Sequence, residues 1–294
     1  MKKNIFFCFL SSYFLWATVS ALQANDQIKQ GNLALPTSQR PGPLYGFGQN
    51  VFQRGDLLGL MFIPFIGKKH EQFTEINSGI LYGINNSSSI FVLIESSPQY
   101  KVNNNRASGI EDMFIQYEYA PYFKRNYRSS DYFTVVATLF MPTGPVLKLP
   151  RAFGSPSFFF GATVGTVREQ WYIYTSHGAL ITTSHKGTKI GNEIVYQFGL
   201  GKNIAYRSDK WILNWLVEFF GLYSFKDKIH RMIDPNTGGN VISIIPSLWF
   251  SNQRFILQVG CGFVPAQNQN GIQNKFTYFG AVNLVWKFAG PALH

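Results

Sequence analysis

From about residue 57 onward, hydrophobic and polar residues alternate in short runs. Phe255, Leu257, Val259, Cys261 and Phe263 share one phase, opposite Ile256, Gln258, Gly260, Gly262 and Val264. Farther on, Phe276, Tyr278, Val282, Leu284, Trp286 and Phe288 fall on one side, and Thr277, Ala281, Asn283 and Lys287 on the other. In a third run Trp211, Leu213, Trp215, Val217, Phe219 and Tyr223 oppose Asn214 and Glu218. Successive side chains of a strand point to opposite faces, so each run predicts a strand with an apolar wall and a wetter one. The stretch 211–225 could also be an apolar helix, but it is too short to span a bilayer and contains Glu218. β-formers dominate it, and a strand is favoured.

Twelve such segments follow one another, at 57–65, 75–84, 89–95, 112–120, 132–142, 156–166, 170–183, 192–206, 210–224, 240–250, 254–264 and 275–288. Connectors after the even-numbered segments are tight (Asn85 to Ser88, Val167 to Glu169, Arg207 to Asp209, Ser251 to Gln253), with Pro121 to Asp131 a longer exception. Those after odd-numbered segments are longer and rich in turn residues: Ser96 to Glu111, Thr143 to Ser155, Phe225 to Gly239. Bacterial outer-membrane barrels have an even strand number, short periplasmic turns and long outer loops. The rhythm therefore predicts an all-β chain, a transmembrane antiparallel β-barrel of about 12 strands with both termini on the periplasmic side.

Composition sharpens this. Of the 294 residues 46% are hydrophobic and 17% aromatic, yet only 14% are charged, against about 25% in an ordinary soluble domain. The aromatic load excludes disorder, and a mean hydropathy of −0.03 argues against a helical bundle of apolar spans. At the N-terminus Lys2 and Lys3 precede an apolar stretch from Ile5 to Val19, followed by Ala21 and Ala24. Residues 1–24 thus read as a secretory signal peptide, cleaved after Ala21 or Ala24. Residues 25–50, with Pro36, Pro41, Gly42 and Pro43, read as a periplasmic arm or plug, with a flexible tail as the alternative; 51–294 would be the barrel. Losing Lys2 and Lys3 leaves 24 basic against 15 acidic residues, or +9. Cys8 would leave with the leader, and Cys261 alone cannot form an internal disulfide. The expected location is the bacterial outer membrane.

Certain strand-end residues also stand out. Gly109-Ile110-Glu111-Asp112 leads into one strand, and the next ends in Met141-Pro142-Thr143-Gly144. Later come Ile245-Pro246-Ser247-Leu248-Trp249, Phe263-Val264-Pro265 and a final aromatic strand. This succession, over most of the chain after about residue 45, resembles the outer-membrane barrels grouped as the "MetA-pathway of phenol degradation" family of putative transporters. The resemblance implies association with aromatic-compound pathways without naming a solute. Two departures are that Glu111 stands where a second Gly is more usual, and that Ala289 to His294 follow the aromatic Phe288.

Candidate chemistry concentrates on the inward phase. Asp112, Gln116 and Glu118 on one strand, Glu193 and Gln197 on another, and Glu218 on a third are the expected pore-lining residues. They would either line an aqueous path, with Glu118, Glu193 and Glu218 biasing it toward cations, or pair with inward cations and fill the lumen. Basic residues gather in connectors: Lys124, Arg125 and Arg128; Lys148 and Arg151; Lys186 and Lys189; Lys226, Lys228 and Arg231. They suit anionic lipid head groups or plain solvated loops, and no concentrated basic face points to nucleic acid. Ser176-His177 and Ser184-His185 are adjacent in sequence, so neither pair can form a nucleophile–base contact within a strand, although a partner from another strand could complete one. No catalytic residue, metal set or cofactor motif is assigned: the stretch from Asp234 to Asn240 superficially suggests a calcium loop, but it lacks the later Glu of that motif and reads as a turn. Tyr119, Tyr122, Trp171, Trp211, Tyr223, Trp249 and Trp286 near strand ends fit an interfacial girdle. The expected function is passage of a small hydrophobic or aromatic solute across the outer membrane. Alternatives are an outer-membrane lipid hydrolase and a structural or adhesive barrel with a filled lumen. The oligomeric state is open.

Overall fold

Thirteen antiparallel strands close into one sheet, because the last strand pairs back onto the first. They are β1 Leu57–Lys68, β2 Glu71–Thr74, β3 Asn77–Asn85, β4 Ser88–Val102, β5 Asn105–Arg125, β6 Ser129–Met141, β7 Ser157–Arg168, β8 Trp171–Thr182, β9 Glu193–Arg207, β10 Trp211–Ser224, β13 Gly239–Asn252, β14 Phe255–Gln269 and β15 Phe276–Ala289; a separate hairpin, β11 Lys228–Ile229 and β12 Met232–Ile233, stands on a long loop. The short β2 sits beside β1 above β3, so the wall is a closed twelve-strand antiparallel barrel. This computed structural model describes residues 30–48, 52–69, 71–102, 105–126, 128–144 and 154–289; the expected signal peptide, and the cations Lys148 and Arg151, lie outside them.

Every wall strand overlaps a segment of alternating hydrophobicity, and the two walls separate as the pattern requires. Ile80, Phe160, Val164, Leu248 and Phe263 are exposed on the outside, while Thr134, Thr163, Ser176, Asn214, Ser247 and Gln258 are buried on the inside. Apolar side chains outside and polar ones inside are what lipid and lumen select for.

The strands run longer than the alternation where bulges break its phase. The alternation stops near residue 95, yet β4 continues to Val102. Register shifts against β5, between Ile94 and Ser96 and between Ser97 and Tyr100, scramble the period without ending the pairing. Pro121 likewise does not open a loop. It sits at a shift between Tyr119 and Tyr122, and pairing resumes as far as Arg125 opposite Ser130. The connector expected from Pro121 to Asp131 is therefore a short turn like its neighbours. A third interruption faces Pro64, which has no N–H to donate. Opposite it the chain between β2 and β3 bonds irregularly, Glu75 N–H to the Pro64 carbonyl at 3.0 Å and Ile76 N–H to the Ser96 carbonyl at 2.7 Å.

Two face assignments change. Alternation puts Phe276 beside Tyr278 on the outer wall. The β1 register skips Thr277, pairing Gly67 with Tyr278 and Lys68 with Phe276. That bulge turns Phe276 inward, where it stacks on Phe279 with centroids 5.1 Å apart. Trp249 leaves the girdle: it is 3% exposed inside the barrel, its Nε1–H donating to Ser251 Oγ at 3.0 Å. Tyr119, Tyr122, Trp171 and Trp286 remain exposed on the outer wall at the short-turn end, and Tyr223 at the long-loop end.

The main apolar core lies inside the barrel, not between two layers. Leu33 and Leu35 from the N-terminal segment are buried there with Tyr172, Tyr174, Ile212, Leu216 and Trp249 from the wall.

Candidate functional site

Residues 30–48 occupy the lumen as a plug. The segment enters at the short-turn end, where Gly31–Leu33 forms a single 3-10 turn. There Asn32 N–H donates to the Glu169 carbonyl at 2.8 Å, and Asp209 N–H donates to the Ala34 carbonyl at 3.1 Å. A second 3-10 turn, Thr37–Gln39, follows Pro36, and the chain then climbs toward mid-barrel. Such a segment cannot make its own ladder, because its three prolines and four glycines between Gly31 and Gly48 remove donors and side chains. Its backbone is satisfied instead by inward side chains of the wall, as buried backbone groups must be.

Those wall groups form a cradle. Ser251 Oγ donates to the Gln39 carbonyl at 2.7 Å, and Gln258 Nε2 reaches the Gly42 carbonyl at 3.4 Å. At the top of the segment, Leu44 N–H donates to both carboxylate oxygens of Glu218, at 2.9 and 3.0 Å. The Tyr174 hydroxyl donates to the same carboxylate. Gln197 Nε2 donates to the Tyr45 carbonyl at 2.8 Å, and the Tyr45 hydroxyl to the Gly280 carbonyl at 2.6 Å. Thr163 Oγ1 donates to the Phe47 carbonyl at 2.8 Å, and Thr134 Oγ1 to that of Gly48. Burial, then Glu218, pushes the Tyr45 hydroxyl well above the ordinary tyrosine range, so it stays a donor. The buried Arg40 guanidinium donates from Nε to the Leu35 carbonyl at 3.2 Å. Burial and then Arg125 pull it down to about 9, which leaves it charged at neutral pH.

Beside the plug lies a cavity of about 370 Å³. Tyr45 and Phe47 of the plug form one side; Phe62, Phe91, Phe114, Phe140 and Phe159 of the wall form the other. Glu95, Glu118, Gln116, Asn77 and Thr138 supply its polar groups. The rings meet edge-on: Phe47 lies 4.7 Å from Phe159 at 79°, and Phe91 lies 5.5 Å from Phe114 at the same angle. Such contacts give a stiff aromatic lining.

The six residues singled out by inward phase stand at different places. Gln116 and Glu118 line the cavity, Gln116 accepting from Thr138 Oγ1 at 3.0 Å. Gln197 and Glu218 hold the plug. Asp112 is buried and accepts from Gly144 N–H at 3.2 Å, pinning the base of a long loop. Glu193, the first residue of β9, accepts from Ser224 Oγ at 3.0 Å at the rim. Glu118, Glu193 and Glu218 therefore do not share one ring. The inner phenylalanines carry the same sequence signal as the polar candidates, sharing their phase: Phe114 is two residues before Gln116, and Phe140 two after Thr138. The plug contacts carry no comparable signal, since they join residues as far apart as Gln39 and Ser251.

Ser176 and His177 point to opposite faces of the wall. Ser176 is buried inward, with its hydroxyl 2.8 Å from Thr163 Oγ1; His177 faces outward and lies 3.0 Å from Thr175 Oγ1. His185 sits in a loop turn bonded to Thr188 through the backbone. Among the described residues no group of His, Cys, Asp and Glu is arranged to hold a metal ion.

No family model and no curated protein matches the sequence. Solved structures do. An outer membrane channel from Pseudomonas putida F1 aligns with 84% of this chain and 99% of its own at a TM-score of 0.60, with 12% identity. LpxR from Salmonella typhimurium covers 79% of this chain and 100% of its own at 0.45 and 8% identity. The CymD monoaromatic hydrocarbon channel covers 81% and 90% at 0.35 and 9%. The first likeness is one of fold, and the other two overlaps are too loose to bear on activity. The twelve-strand barrel fits the family that the strand-end residues resemble, and it places the chain in the bacterial outer membrane.

Proposed function

We propose that this protein is an outer-membrane channel for a small hydrophobic or aromatic solute. The observation that carries the reading is the phenylalanine-lined cavity inside the barrel, walled on one side by the plug. A hydrophilic pore has no use for five inward phenylalanines, whereas an apolar solute gains by exchanging water for them. Glu118, Glu95, Gln116 and Asn77 give the cavity a few fixed polar groups, which suit a solute with one polar or cationic end. Gln197 and Glu218 act on the plug, which must shift for a solute to leave toward the periplasm. Asp112 and Glu193 steady the outer loops and contribute negative charge at the mouth.

Uptake of 1-N-phenylnaphthylamine tests this in cells whose intact outer leaflet excludes that aromatic probe. Cells carrying the protein are expected to take it up faster than cells with an empty vector. Phe140→Asp, which puts a charge in the cavity wall, is expected to remove most of the gain while the barrel still shows heat-modifiable gel mobility. Uptake no faster than the empty vector, or unaffected by Phe140→Asp, would favour a structural barrel with a permanently filled lumen.

A further inference from the structure

We propose that two interlocked outer loops form a binding site for the phosphate groups of an outer-leaflet lipid. The loops are residues 183–192 and 225–238, the second carrying the β11–β12 hairpin. Together they hold five cations, Lys186, Lys189, Lys226, Lys228 and Arg231, against two acids, Asp227 and Asp234.

The cations are held close by backbone. Lys189 and Lys228 form a bridge in which each N–H donates to the other's carbonyl at 2.8 Å. Residues directly opposite in an antiparallel pair present their side chains on the same side, and like charges in that position repel. Nothing among the described residues offsets the repulsion with an ion pair. Asp227, next to Lys226 and Lys228 in sequence, turns its carboxylate to the loop backbone: Oδ1 accepts from Gly191 N–H at 2.7 Å, while the Asp227 N–H donates to Thr237 Oγ1 at 2.8 Å. Glu193, at the foot of the loop, accepts from Ser224.

The tips are locked as well. Arg231 N–H donates to the Gly187 carbonyl at 3.0 Å, joining one hairpin tip to the other. Lys186, His230 and Arg231 all adopt positive φ, at 48°, 51° and 70°. His230 and Arg231 are the two residues between β11 and β12, where positive φ at both positions is what a tight two-residue hairpin turn requires, so the tip has a defined shape.

A cavity of about 520 Å³ lies between the loops, lined by Lys189, Lys226 and Lys228 together with Tyr223, Phe225 and Ile233. Tyr223 belongs to the outward phase of β10 and is exposed on the lipid side, with the Phe225 ring edge-on at 5.1 Å. The site thus opens at the level where amphipathic rings meet head groups. Three lysines lining one cavity with aromatic and aliphatic side chains match a phosphorylated head group whose acyl chains run down the barrel wall. A soluble anion would meet the cations but would have no use for Tyr223, Phe225 and Ile233.

Purified full-length protein in neutral detergent can be titrated with diphosphoryl lipid A, its dephosphorylated form and inorganic phosphate, following the thermal midpoint and the bound fraction. The diphosphoryl lipid is expected to bind and raise the midpoint. Lys189→Gln/Lys228→Gln should weaken it by about tenfold or more, as two lysines near an anionic surface imply. Lys210→Gln, at the opposite end of the barrel, should leave binding unchanged. Without lipid the double variant should melt no lower than the parent, because a repulsive pair has been removed. Equal binding of the dephosphorylated lipid, or undiminished binding by the double variant, would overturn the proposal. Binding of inorganic phosphate as tight as that of the lipid would assign the site to a soluble anion instead. A double variant that melts lower can be replaced by Lys226→Gln, which touches no loop-bridging bond; unchanged binding there also counts against the site.

Discussion

Lys287 Nζ lies 2.6 Å from Asp56 Oδ1 and 3.3 Å from Ser38 Oγ, tying the last strand, the approach to the first strand and the plug together. Asp56 Oδ2 accepts from Gln53 N–H at 3.0 Å, and the Asp56 side chain is wholly buried. A charge left alone in such a place is expensive, while a matched pair replaced by apolar groups is often neutral. Lys287→Met is expected to destabilise the barrel by about 3–5 kcal/mol, and Asp56→Asn in the same chain to restore much of the loss. Urea unfolding in lipid vesicles checks both. A double variant no more stable than Lys287→Met would show that Asp56 is not the group left unpaired. The inward position of Lys287 was legible from its alternation with Asn283 and Trp286; its partner, 231 positions earlier, was not.

The plug is an element without regular structure, and its fit depends on close approach. Gly31 has φ +54°, and a Cβ there would fall 1.8 Å from the Glu169 carbonyl oxygen, so no larger residue fits that contact. At the other end the Glu218 carboxylate is the one group that holds Leu44 N–H. Glu218→Ala leaves that N–H without its acceptor, a loss of about 1–3 kcal/mol in a buried place. In planar bilayers the variant is expected to open more often and conduct more than the parent protein, and Glu218→Gln, which keeps an acceptor, to lie between them. Unchanged conductance in Glu218→Ala would mean that the other cradle bonds suffice to hold the plug. Composition marked this segment as turn-prone through Pro36, Pro41, Gly42 and Pro43. The same composition suits a tail in solvent, and only the wall side chains it meets distinguish the two.

Across the whole barrel the ladder is uneven. β10 pairs with β13 through fourteen consecutive positions without a register shift, whereas β3 and its neighbours are broken at Glu75 and Ile76 opposite Pro64. Local opening follows such differences in hydrogen bonding and packing. Hydrogen exchange in lipid is expected to be faster over residues 71–85 than over 239–252. Equal protection would indicate that Pro64 and the adjoining bulges do not weaken the sheet. The two cavities also divide by level: the aromatic one lies against the plug, and the basic one at the outer rim.

Alternation, with the short and long rhythm of the connectors, pointed to a barrel of about twelve strands and to the wall that most residues face. These are local properties, because a strand's period of two is written into consecutive residues and lipid outside enforces it. Where bulges insert a residue, as at Thr277, the local rule gives the wrong face, since a bulge is visible only in the partner's register. Composition could not say whether the lumen was open, because that depends on what Glu218, Gln197, Thr163 and Ser251 meet across the barrel. Only closure of β15 onto β1 brings those groups around one segment. The plug, the phenylalanine cavity beside it and the paired lysines of the rim are products of that closure, each assembled from residues that the sequence keeps far apart.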